Sequence, residues 1–191
     1  YVVTEAGFGS DMGAEKFMHI KSRFNDLHPA AAVLVATVKA LKSHGGIHVK
    51  DLDKPNLEAI REGMSNLRHL IGVIKTFGLP VVVALNHFPS DTNEEIALVR
   101  NLSEDAGAFA AVELKGFAEG GAGAVDLAEA LIEATSGPQP QISYLYSPEA
   151  PLEEKVLSVA KTVYNADAVQ WTPTALRRLR TYQDLGWGAL P

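Results

Sequence analysis

A chain of 191 residues, 47% hydrophobic and 21% charged, has the balance of an ordinary globular protein and the length of one domain. It contains no cysteine, which excludes disulfides, thiolate metal sites and a cysteine nucleophile. The formal net charge of −6 argues against a nucleic-acid backbone as partner, and no apolar run reaches the ~20 residues of a membrane span.

In chain order, residues 2–4 read as a short strand already under way. Residues 32–37 and 80–85 are continuous apolar runs of strand length, the pattern of strands buried on both faces of a parallel sheet. Residues 108–114 and 168–171 are weaker strand candidates. Between them, Leu57, Ile60, Met64, Leu67, Ile71 and Ile74 recur at three- and four-residue steps, with Pro55 before the stripe and Gly78 after it. A second helix is expected from Asp91-Thr92, where Thr92 and Glu95 have capping-box spacing, to Gly107. Further helices are expected at 124–134, 152–164 and 174–185. Arg177, Arg178 and Arg180 on the last one read as a solvated face.

Alternating strands and helices imply right-handed crossovers and an α/β fold with a doubly wound, mostly parallel sheet. The Pro-, Gln- and Ser-containing stretch 136–151 divides this part, 1–135, from a helical part, 136–191. Residues 185–191 stop without a closing element, so the chain is expected to be a piece of a longer protein.

Ligands of such sheets bind beyond the carboxyl ends of the strands. That directs attention to 5–15, 39–48, 86–91 and 115–123. In the first, Gly7 and Gly9 flank Phe8. The turn either displays the ring for stacking on a heterocycle or tucks it into the core. It matches neither GxGxxG nor a phosphate-binding loop, because Lys16 lacks the flanking Gly and Ser/Thr. In the third, Asn86 has an amide able to read a base edge, Phe88-Pro89 follow, and Asp91 is a candidate helix cap. A plain capped turn is the alternative there. In the fourth, glycines surround Phe117 and lead into a helix, either as a flexible connection or as an approach for an anion. His44 and His48 are four apart without a carboxylate pattern, so no metal site is expected. His87 adjoins Phe88 and reads either as a contact to the same ligand or as a solvent-facing loop residue, and no catalytic acid, base or nucleophile is assigned.

The segments VVTEAGFGSDMGAEKF (2–17), VLVATVKALKSHGG (33–46), FGLPVVVALNHFPSDTNEEIALV (77–99), GGAGAVDLAEAL (120–131) and YQDLGWGALP (182–191) resemble the formate–tetrahydrofolate ligase family. The resemblance implies a P-loop NTPase type of fold, a homotetramer and a cytoplasmic enzyme. Its reaction forms 10-formyltetrahydrofolate from formate, ATP with Mg²⁺, and tetrahydrofolate, through formyl phosphate. It implies that Phe8, with Gly7 and Gly9 and with Asn86, faces the nucleotide. It likewise implies that Phe88, Pro89 and Phe117 enclose the folate ring system.

Many relatives carry Trp at the position of Phe117, which implies a smaller stacking area here, and Ser10 stands where Ala is common. By the same resemblance the phosphate-binding loop is expected upstream of Tyr1. The isolated chain is therefore expected to bind ligands weakly and to turn nothing over. The alternative is a nucleotide-gated interaction module without ligase chemistry.

Overall fold

The computed structural model describes all residues, 1–191, and divides into two compact units. One comprises Pro29–Gln141. The other joins Tyr1–His28 to Ile142–Pro191.

The Pro29–Gln141 unit is built on three parallel strands in the order β1 (Ala32–Ala36), β2 (Val81–Asn86) and β3 (Ala110–Leu114). Leu34, Val83 and Ala111 lie side by side across the sheet, as do Val33, Val82 and Ala110. Helices α3 (Val38–His44) and α4 (Leu57–Thr76) connect β1 to β2, and α5 (Asn93–Asp105) connects β2 to β3. Beyond β3 come α6 (Gly116–Glu119), a 3-10 stretch Gly120–Ala124 and α7 (Val125–Ala134). Helix α5 packs on β2 and β3, and so does α7. With Val82 and Ala84 buried as fully as Val83 and Leu85, helices cover both faces of β2.

The three strands stand where the two apolar runs and the weaker candidate at 108–114 place them, but β1 departs from the expectation of burial on both faces. Leu34 is buried while Val33 and Val35 are 40% and 61% exposed. Alternate side chains of a strand point to opposite faces. The covering provided by α7 reaches β2 and β3, so the outer face of β1 stays open. The two weak outlying strand expectations also fail. Residues 2–4 and 168–171 take no ladder partner and form no strand. β-rich composition cannot make a strand without a neighbour to accept its backbone hydrogen bonds.

Helix α4 follows its apolar stripe. Ile60, Met64, Leu67, Ile71 and Ile74 are buried, each contributing about 1.5–3 kcal/mol of transfer free energy. The cap itself is Asn56, whose side chain accepts from Ala59 N–H at 2.9 Å. Gly78, with φ +85°, ends the helix where a Cβ would lie 2.3 Å from the Gln141 carbonyl. Helix α3 was not foreseen, and it occupies most of the expected 39–48 loop. Its cap is Thr37, and it lies so close to α4 that a Cβ on Gly63 would meet the Leu41 carbonyl at 1.9 Å.

A buried ion pair joins these helices. Lys42 of α3 donates to Glu95 of α5 at 3.0 Å, and neither side chain is exposed. The same carboxylate accepts from Asn56 N–H at 3.0 Å and from Thr92 N–H at 3.0 Å. The Thr92–Glu95 capping box is formed as its spacing foretells. Burial pushes the Glu95 carboxyl upward, but the N–H groups of Thr92 and Asn56 and the Lys42 ammonium outweigh it. The net direction is below the usual range.

In the second unit, α1 (Ser10–Lys16) passes through a π-helical stretch, Phe17–Ser22, into α2 (Arg23–Asn25). Residues 142–151 lie along this helical run. His19 stacks on Tyr146 at 4.4 Å, and the Arg23 guanidinium lies 4.2 Å from the Tyr144 ring centre while donating to the Tyr146 carbonyl at 2.7 Å. Helices α8 (Leu152–Tyr164) and α9 (Pro173–Asp184) follow. Lys155 of α8 is buried and donates to the carbonyls of Pro148, Gly188 and Leu190, pinning the last residues. Burial, aided by Arg23, holds its ammonium below the usual lysine range. No helix in the chain is long and apolar enough to cross a membrane.

Candidate functional site

In the Pro29–Gln141 unit the carboxyl ends of the three strands carry Lys39, Asn86 to Asp91, and Glu113 to Phe117. This is the rim where parallel sheets bind ligands. Asn86 is the last residue of β2 and half-buried, paired in register with Leu114. The ladder extends one step further, since His87 N–H donates to the Leu114 carbonyl at 3.0 Å. Phe88 is half-buried and Pro89 exposed. The Lys39 ammonium sits 4.9 Å from the centre of the Phe88 ring and is itself held by Asp53 at 2.6 Å. Lys39 in turn holds the Asp53 carboxyl below its usual range.

Asp91 does not cap α5. Thr92 does, and Asp91 instead accepts from Phe88 N–H at 2.9 Å, closing the turn that carries Phe88 and Pro89. Its other oxygen is buried without a partner. Burial pushes this carboxyl above its usual range, against the opposing pull of the Phe88 N–H, His87 and Lys42.

The Gly-rich segment after β3 is a succession of helical turns rather than an open loop. Lys115 N–H donates to the Gly123 carbonyl at 2.9 Å, and a Cβ on Gly123 would lie 2.6 Å from the Lys115 backbone. The glycine is needed there for close backbone approach. Phe117 projects from α6 fully exposed, at 100%. A large apolar ring in that position costs solvation that a stacking partner would recover.

In the other unit, Phe8 is 92% exposed, so the reading of a ring tucked into the core does not hold. The turn folds back tightly: Gly9 has φ +74°, and a Cβ on Gly13 would lie 1.7 Å from the Gly7 carbonyl. Gly7 and Gly9 thus hold Phe8 outward at the start of α1.

Sequence reasoning missed Glu113. Of the two readings of His87, the solvent-facing one does not hold: the side chain is three-quarters buried, and its Nδ1 is hydrogen-bonded to the Glu113 carboxylate. Glu113 also meets Lys115 Nζ at 3.4 Å. The two residues of the pair are 26 positions apart, so no local pattern announces it. His44 and His48 are engaged elsewhere, with Asn66 at 3.1 Å and with Lys50 N–H at 3.3 Å. Two grooves, of about 410 and 530 Å³, lie in the Tyr1–His28 and Ile142–Pro191 unit. They are lined by α8 and α9 residues such as Tyr164, Tyr182 and Leu157, and by none of the candidate nucleotide or folate contacts.

A family model described as formate–tetrahydrofolate ligase matches residues 1–191. Among curated proteins, the chain is 48% identical over 191 residues to a formate–tetrahydrofolate ligase of Paracoccus denitrificans. It is 46% identical over 192 residues to one of Symbiobacterium thermophilum, and 44% identical over 191 residues to one of Methylorubrum populi. Each match covers 100% of this chain and 34% of the relative, so the chain spans about a third of their length.

Proposed function

The chain belongs to the formate–tetrahydrofolate ligase family, and from that premise we propose that it forms part of an enzyme that joins formate to tetrahydrofolate with ATP. The family match across all 191 residues carries this reading. In the proposed reaction, ATP phosphorylates formate, and N10 of tetrahydrofolate attacks the formyl carbon, expelling phosphate. The product is 10-formyltetrahydrofolate.

Within that scheme Phe8 is the adenine contact, Gly7 and Gly9 shape its turn, and Asn86 reads the nucleotide edge. Phe88, Pro89 and Phe117 bind the folate rings. Exposure of Phe8 and Phe117 supports these assignments, since exposed rings beside glycine turns are ready to stack. We further assign the parallel sheet to the doubly wound, P-loop NTPase type. Residues 1–135 would form the ligand-binding part and 136–191 the helical part, of a homotetrameric, cytoplasmic enzyme.

Mg²⁺ accompanies ATP in this reading and supplies charge neutralisation at the phosphates. No three carboxylates or histidines gather as a ready-made cage, and Mg²⁺ that travels with a nucleotide takes most of its ligands from phosphate and water, so no step is routed through it. What the chain contributes is position: stacking and turn geometry that hold the folate and nucleotide for reaction. Residues 1–191 by themselves are proposed to bind these ligands weakly and to turn nothing over.

The test is a titration of the chain with tetrahydrofolate and, separately, ATP, followed by resonances of Phe8, Phe88 and Phe117. Shifts at Phe88 and Phe117 with the folate, and at Phe8 with ATP, are expected. Nucleotide binding with no response to a reduced folate would favour an interaction module and overturn the ligase reading. Formate- and folate-dependent ADP release by the 191 residues would overturn the proposed lack of turnover.

A further inference from the structure

His87 and Glu113 are not among the proposed nucleotide and folate contacts, yet they join the two strand ends that carry Phe88 and Phe117. Glu113 is the fourth residue of β3 and His87 directly follows β2. An ionised carboxylate only accepts, so the Nδ1 atom facing Glu113 bears the hydrogen. In the neutral ring the lone pair then stands on Nε2, for which the structure shows no protein partner. A carboxylate that fixes one imidazole nitrogen while the other is left open is the arrangement proteins use to aim a histidine at something outside.

The surroundings argue against a mere ion pair. Both side chains are 24% exposed, enough for a ligand to reach and too little for free rotation. Glu113 already has Lys115 within 3.4 Å, so it does not need His87 to balance its charge. Asp91 also acts on His87 through its charge, and one of its oxygens accepts from Phe88 N–H. Backbone bonding between His87 and Leu114 fixes the spacing of the two strand ends beneath the pair.

We infer that His87 is a ligand-contacting residue, offering Nε2 as acceptor to an N–H of the reduced folate, and that Glu113 is its positioning residue. The reduced pterin is the chemical match, because reduction places N–H donors on the ring where the oxidised ring has bare acceptors. The inference rests on the folate reading of Phe88 and Phe117 and adds to it a polar contact that selects reduced over oxidised folate.

The experiment uses the 191-residue chain with ¹⁵N-labelled histidine, titrated with tetrahydrofolate and with folic acid. In the free chain the His87 hydrogen is expected on Nδ1. Tetrahydrofolate should shift the Nε2 resonance, and folic acid should not. His87→Leu should weaken tetrahydrofolate binding about 3- to 10-fold and leave folic acid unchanged. His87→Gln, which keeps an acceptor, should recover part of that loss. Glu113→Ala should weaken binding only when His87 is present, giving non-additive losses in the double variant.

Tetrahydrofolate shifts at Phe88 and Phe117 with an unmoved Nε2 would overturn the inference while leaving the folate reading intact. So would hydrogen on Nε2 in the free neutral ring, or equal losses for both folates in His87→Leu. Silence at Phe88, Phe117 and Nε2 together would refute the folate reading, and this inference with it.

Discussion

Glu95→Gln tests the buried pair that organises the Pro29–Gln141 unit. One carboxylate oxygen serves Lys42 Nζ and Asn56 N–H, and the other serves Thr92 N–H and Thr92 Oγ1 at 3.1 Å. Glutamine has one acceptor oxygen. Turned toward Lys42, it points an amide donor at Thr92 N–H. Turned toward Thr92, it leaves the Lys42 ammonium with only the Lys54 carbonyl, at 3.1 Å, in a site without solvent. Either way a buried donor is stranded and the counter-charge is gone, for an expected loss of about 3–5 kcal/mol.

The assay is native-state hydrogen exchange of the β2 amides of Val82 to Leu85, which report opening of this unit alone. Lys42→Met should cost a similar amount, because it leaves the carboxylate without its cation. The double variant Lys42→Met with Glu95→Gln should fall short of the summed losses by about 2 kcal/mol or more. A loss below about 1 kcal/mol for Glu95→Gln, or strict additivity, would refute the view that this pair acts as one desolvated unit.

Gly63→Ala should destabilise by about 1–3 kcal/mol or more by urea unfolding, since the new methyl meets the Leu41 carbonyl and α3 must move away from α4. Thr92→Ala should cost about 0.5–2 kcal/mol in the same assay through loss of the α5 cap. Acid titration of stability should show two opposed contributions. The depressed Glu95 carboxyl stabilises fully above its ordinary 4.5, and that contribution is lost as pH falls through the lower folded value. The raised Asp91 carboxyl acts the other way. Its cost is absent below 3.8 and grows as pH rises through the higher folded value, so Asp91→Asn should gain on the unsubstituted chain across that window. Phe117→Ala should leave unfolding unchanged, because the ring is fully exposed, while weakening tetrahydrofolate binding about 2- to 10-fold by titration.

What the sequence by itself determined are the features set by near neighbours. The three inner strands, the α4 stripe ending at Gly78 and the Thr92–Glu95 box all depend on residues within a few positions, so spacing reveals them. The turn glycines around Phe8 were legible for the same reason, although whether the ring faces inward or outward was not.

Tertiary structure alone decided the rest. Val33 and Val35 read as core but stay open because α7 packs on the other two strands, and residues 2–4 find no strand to pair with. Helix α3 hid in a Gly- and Lys-containing stretch because its stability comes from packing on α4. Lys42 with Glu95, and His87 with Glu113, pair across 53 and 26 positions. Which charge meets which at such distances is settled by the sheet register and helix placement, information that no local window of the sequence contains.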